Sequence, residues 1–131
     1  MKSDRPLRVL VADDHADSRL MIQTFLSLLG FMVRTVANGA EALVVATEFR
    51  PDVVFLDIWM PHLGGIDACQ RLRAGPCPRP VPIFGVTGDL EQFDNPPECF
   101  DRVLLKPLEL EDFAELLRNH EIASPSGRHV H

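Results

Sequence analysis

The apolar run Val53-Val54-Phe55-Leu56 ends in an acid, Asp57. Such a run, two residues β-branched and one aromatic, describes a strand buried on both faces. A carboxylate where that strand emerges costs desolvation energy unless a cation, a metal or hydrogen-bond donors meet it. The residues able to meet it close other β-rich runs: Asp13-Asp14 follow Leu7 to Ala12, Thr87 follows Val81 to Val86, and Lys106 follows Arg102 to Leu105. Three carboxylates brought together repel and keep protons unless a divalent cation joins them, and an all-oxygen set suits Mg²⁺ better than a transition metal. Thr87 can donate a hydrogen bond to a phosphoryl oxygen, with the free N–H of Gly88 beside it. Lys106, with Lys2 one of only two lysines among thirteen basic residues, supplies a compact charge. In that company an aspartate can be phosphorylated to a mixed anhydride.

The intervening residues must place these groups together. Leu7 to Ala12 reads as a first strand. From Ser18 to Leu29, Leu20, Met21, Ile22, Phe25, Leu26, Leu28 and Leu29 recur at helical spacing, with Asp17 as N-cap and Gly30 as a left-handed stop supported by Phe31. Met32 to Val36 is a second strand. Asn38 and Glu41 form a capping box for a helix through Ala42, Leu43, Val45 and Ala46, which Pro51 ends. After the Met60-Pro61 turn and Gly64-Gly65, residues Ile66, Ala68, Cys69 and Leu72 mark a third helix stopped by Gly75-Pro76. Val81 to Val86 and Arg102 to Leu105 are the fourth and fifth strands. Between them Pro96-Pro97 confine Asp89 to Phe100 to a single turn or irregular loop. Leu110, Phe113, Ala114, Leu116 and Leu117 give a last amphipathic helix, and 123–131 reads as a disordered tail.

Strands alternating with helices imply an α/β, doubly wound parallel sheet covered on both faces. All C-terminal strand ends then share one edge, where ligands of open α/β folds bind. Asp13, Asp14, Asp57, Thr87 and Lys106 are therefore predicted to form one site.

The chain of 131 residues is the length of one domain. We expect an N-terminal extension (1–6), the domain (7–122) and the tail (123–131). The longest wholly apolar run, Ala42 to Ala46, falls far short of the ~20 residues of a membrane span. Met1 to Pro6 carries charges and a proline where a secretory segment is apolar, so a cytoplasmic protein is expected. Cys69, Cys77 and Cys99 are odd in number and lack C-x-x-C spacing, which predicts reduced packing thiols, with Cys77 exposed. A formal net charge of −6 argues against direct nucleic-acid binding, which depends on clustered Lys and Arg.

Asp13-Asp14, Asp57 with Met60-Pro61 and Gly65, Thr87-Gly88 and Lys106-Pro107 together resemble the receiver domain of two-component response regulators, from Leu7 to His120. The resemblance implies a five-stranded flavodoxin-like sheet of order 2-1-3-4-5. It implies Asp57 as phosphoacceptor from a histidine kinase or histidine phosphotransfer protein. Asp14 would bind Mg²⁺ directly, Asp13 through water, and the Trp59 backbone carbonyl would complete the protein ligands. Thr87 would move towards the phosphoryl group and Lys106 would pair with it. The domain would catalyse its own phosphorylation and slow hydrolysis, acting as a switch, alone or within a hybrid kinase. Partner docking is expected near Arg19 and Ile22 on the first helix.

Two features depart from the family. Val103 stands where a Tyr or Phe is usual, and the fourth helical segment is shortened, so the usual dimer through the fourth helix, fifth strand and last helix is not carried over. The alternatives are a pseudo-receiver with a silent site and a haloacid-dehalogenase-type phosphatase. The phosphatase wants a second acid two residues after its nucleophile, where this chain has Trp59 after Asp57 and His15 after Asp13. His15 and His62 are read as lining the site, Trp59 as covering its edge, and His129 and His131 as functionless.

Overall fold

Strand and helix alternate without exception: β1 (Arg8–Ala12), α1 (Ala16–Leu28), β2 (Met32–Val36), α2 (Gly39–Phe49), β3 (Val53–Asp57), α3 (Gly65–Ala74), β4 (Ile83–Thr87), α4 (Leu90–Asp94), β5 (Arg102–Leu105) and α5 (Leu110–Asn119). This computed structural model describes residues 5–119, so the tail and its histidines lie outside the described residues. The strands form one parallel sheet of order β2-β1-β3-β4-β5, as the family resemblance implies. Among the described residues no helix is long and apolar enough to cross a membrane.

Each strand sends alternate side chains to opposite faces. Leu10, Val54, Leu56, Ile83 and Val103 pack with Ala42, Ala46, Ala68 and Leu72 of α2 and α3. Val9, Val11, Val53, Phe55, Phe84, Val86 and Leu104 pack with Ile22 and Leu26 of α1 and Phe113 and Leu117 of α5. Phe55 anchors the second layer, with ring centroids 5.3 Å from Phe84 and 5.0 Å from Phe113. This parity aims the site: Asp57 continues the series Val53, Phe55, and so faces the α1/α5 side.

The helix ends explain most boundaries. Gly30, at φ 101°, occupies the left-handed position after α1, while Phe31 N–H donates to Leu26 C=O at 3.1 Å. Asn38 accepts from Glu41 N–H at 2.9 Å, and the Glu41 carboxylate reaches back to Ala37 N–H, also 2.9 Å. Asp17 is not the N-cap of α1; His15 holds that position and Asp17 lies in the first turn. The Asp13 carboxylate accepts His15 N–H at 2.9 Å, so the turn out of β1 starts the helix two residues earlier. β4 begins at Ile83 instead of Val81, after Pro82. α4 is the expected single turn, five residues long, capped by Asp89 and followed by irregular chain through the two prolines.

The cysteines correct the sequence reading. Cys69 of α3 and Cys99, in the segment before β5, are joined in a disulfide, and Cys77 is fully buried. Cysteine parity and spacing do not show that α3 faces residues thirty positions later. Arg73 ties the same segment to the chain that enters β4: its guanidinium donates to Cys99 C=O at 3.4 Å and to the Asp101 carboxylate at 2.6 Å, and also to Val81 C=O. Burial pushes the Cys77 thiol up to about 11 against the opposing pull of Arg73.

Candidate functional site

Asp57 closes β3 and is 5 % exposed. Its position is fixed from both sides: Ile58 N–H donates to Val86 C=O at 2.9 Å, and Gly65 N–H donates to Ile58 C=O at 2.9 Å. Gly65 has to be glycine, since a Cβ there would lie 2.5 Å from the Asp57 carbonyl oxygen and 2.7 Å from the Ile58 Cα. Gly65→Ala should accordingly lower stability by about 2 to 3 kcal/mol, the range of an unrelieved overpacking clash, as read in urea unfolding.

Lys106 meets the carboxylate from β5. Its backbone N–H donates to Thr87 C=O at 2.7 Å, which extends the ladder by one step, and its Nζ donates to Asp57 Oδ2 at 2.9 Å. The Lys106-Pro107 peptide is cis. Asp13 follows β1 with the parity of Val9 and Val11, and its N–H donates to Val36 C=O at 3.0 Å. Ligand atoms of Asp13, Asp14, His15 and Asp57 all lie within 4.8 Å of one another. His15 Nδ1 stands 3.4 Å from Asp13 Oδ1 and 3.2 Å from Asp14 Oδ1. Thus the sequence-predicted acids and lysine do converge, and His15 joins them.

Burial is the main force on Asp57 and holds its carboxyl above the ordinary aspartate range. The Lys106 hydrogen bond and charge pull it down, and the charges of Asp13 and Asp14 push it further up. A group in this state gains from any cation that enters between the acids. Hard oxygen donors at this spacing fit a divalent cation such as Mg²⁺.

Thr87 closes β4 as expected, and its hydroxyl is engaged away from Asp57. It follows Ile83 on the face opposite Asp57, is fully buried, and its hydroxyl donates to Gln92 Oε1 at 3.0 Å while accepting Asp89 N–H at 3.0 Å. No sequence signal marks Gln92, because its partner is fixed by how the single turn of α4 folds back over β4. Trp59 is 64 % exposed at the margin, and His62, at φ 71°, is exposed and outside the acid cluster. Ile22 is largely buried on the inner side of α1. With Ser18 and Met21 it lines a cleft of about 600 Å³ between α1 and α5 that reaches Asp13 and Lys106.

Comparison with known proteins matches this arrangement to one family. The family model described as "Response regulator receiver domain" matches residues 9–118. The chain belongs to the response regulator receiver family. Receivers are signalling switches of two-component systems, as the sequence resemblance implies. Over 80 residues the chain is 46 % identical to the probable transcriptional regulator ycf27 of Guillardia theta, covering 61 % of this chain and 30 % of that protein. It spans half or less of the length of this and other curated relatives it matches. Among solved structures it is similar to the chemotaxis response regulator CheY4 of Vibrio cholerae, with 28 % identity, TM-score 0.78, and coverage of 86 % of this chain and 97 % of that one. It is equally similar in sequence, 28 %, to the receiver domain of the sensor histidine kinase PA1611 of Pseudomonas aeruginosa, with TM-score 0.75 and coverage of 86 % and 95 %. That receiver was crystallised with a magnesium ion coordinated in its active-site cleft.

Proposed function

We propose that this receiver, over residues 7–122, is a Mg²⁺-dependent phosphoacceptor that takes a phosphoryl group onto Asp57 from a phosphohistidine of a histidine kinase or histidine phosphotransfer protein. The observation that carries the reading is the buried Asp57 carboxylate held between one ammonium, 2.9 Å away, and an acid pair that by itself repels it. Repulsion of that kind makes sense where a cation is to be bound. Mg²⁺ held by Asp13, Asp14, Asp57 and the Trp59 carbonyl would neutralise charge on the phosphoryl oxygens.

The chain's own groups do the rest. An Asp57 oxygen attacks phosphorus, the N–P bond of the donor breaks, and the imidazole leaves with the bond's electron pair. Lys106 shifts its hydrogen bond from the carboxylate to the new phosphoryl group, balancing the added charge. Hydrolysis reverses the state when water attacks phosphorus and the Asp57 carboxylate is released. The cleft beside α1 and α5, which opens onto Lys106 and Asp13, gives the donor protein its approach. The output is a change in protein contacts.

Trp59 offers the test. Mg²⁺ should change its emission, and a small-molecule phosphodonor should change it further only when Mg²⁺ is present. Asp14→Asn should weaken Mg²⁺ on the order of tenfold or more, since even outer partners of a metal are worth that much. A phosphodonor response that is independent of Mg²⁺, or none in the wild type, would count against the proposal.

A further inference from the structure

We propose that Gln92 is a positioning residue that holds the Thr87 hydroxyl away from Asp57, so that phosphoryl uptake at Asp57 must release α4. The inference rests on the phosphoacceptor reading of Asp57. Thr87 has one hydroxyl proton, and that proton is donated to Gln92 Oε1 at 3.0 Å. It cannot be given to a phosphoryl oxygen at the same time.

Thr87 shares its face with Ile83 and with Val103, a buried aliphatic residue that offers no polar group, whereas Asp57 and Lys106 continue the opposite face. To reach a group on Asp57 the hydroxyl has to swing across the end of the sheet. The chain permits this: beside it Gly88 is exposed, and a Cβ built there would meet nothing within 4 Å.

α4 is the element such a swing would free. It has five residues, none of them buried, and carries Leu90 at 59 % and Phe93 at 40 % exposure. Its N-terminus is capped locally by Asp89, whose carboxylate accepts Glu91 N–H at 3.0 Å. The bond from Thr87 to Gln92 is what ties the body of this turn to β4 through side chains among the described residues. A helix of one turn does not hold its conformation without such support. The two states of Thr87 are therefore linked to two states of α4, and by reciprocity loosening the latch favours a phosphoryl group on Asp57.

Beryllofluoride, a phosphoryl analogue, can be titrated in Mg²⁺ with Trp59 emission as the readout. Gln92→Leu should bind it about threefold to tenfold tighter than wild type, the net worth of the lost competing hydrogen bond. Gln92→Glu keeps the acceptor and should bind no tighter than wild type. In a Thr87→Ala background Gln92→Leu should have no effect, which a general loosening of the fold would not reproduce. Affinity for Mg²⁺ alone should be unchanged by Gln92→Leu. The latch is overturned if Gln92→Leu gains no affinity, if Gln92→Glu gains as much, or if the gain survives without the Thr87 hydroxyl. Failure of the wild type itself to bind beryllofluoride would strike the phosphoacceptor reading, and with it the latch; that arm tells the two failures apart.

Discussion

Asp57→Asn should raise the melting temperature of the free protein at pH 7 by about 2 to 5 °C while removing its capacity to take a phosphoryl group. The folded-state carboxyl is raised above its unfolded value, chiefly by burial, with Asp13 and Asp14 adding to the effect and Lys106 opposing it. For a raised group, the stability contribution is complete below the unfolded aspartate range and is lost as the pH climbs through the folded value. Well above the unfolded aspartate range, keeping the Asp57 carboxyl buried is therefore a net cost, which asparagine removes without altering shape. Lys106, whose side chain is 35 % exposed, can be hydrated when its anion is gone. The gain should fade as the medium falls below the ordinary aspartate range, where Asp57 is protonated in both states. Thermal melts of the two proteins at pH 7 and under acid check this. A destabilised Asp57→Asn at pH 7 would mean that the Lys106 pair outweighs burial.

Cys99→Ser should lower the unfolding free energy by about 3 to 4 kcal/mol, because the bond closes a loop of thirty residues in the unfolded chain. It joins α3 to the segment that runs from α4 into β5, so its loss should be felt around Phe100 and Arg73 as well. Urea unfolding of wild type with and without reductant, beside Cys99→Ser without it, provides the comparison. Reduced wild type should match the variant. The folded protein should show no reactive thiol until unfolded, because Cys77 is buried and its thiol is pushed up to about 11. Equal midpoints with and without reductant, together with three titratable thiols, would refute the bond.

The parallel sheet and the placement of the acids and Lys106 were legible because both follow from period and polarity: apolar runs that end in a functional group are strand ends, and parallel strand ends share an edge; the strand order came from the family resemblance alone. The capping box at Asn38 and the stop at Gly30 are local chemistry and were legible for the same reason. The disulfide was not, since it depends on which loop α3 meets across thirty residues. Asp17 lost the cap of α1 to a turn made by Asp13, a competition between two similar side chains that spacing does not decide. Ile22 packs in the core beneath α1 and also lines the cleft beside α5, a double placement that apolar spacing does not reveal. Thr87 was placed correctly at a strand end, but its partner Gln92 depends on the fold-back of a proline-limited turn.

Phosphoryl uptake by Asp57 is directly measurable. Intact-mass measurement after incubation with Mg²⁺ and a small-molecule phosphodonor should show a single added phosphoryl group, absent when the metal is chelated and absent in Asp57→Asn. An adduct of equal yield in Asp57→Asn, or an unmodified wild type under conditions that label another receiver, would contradict it.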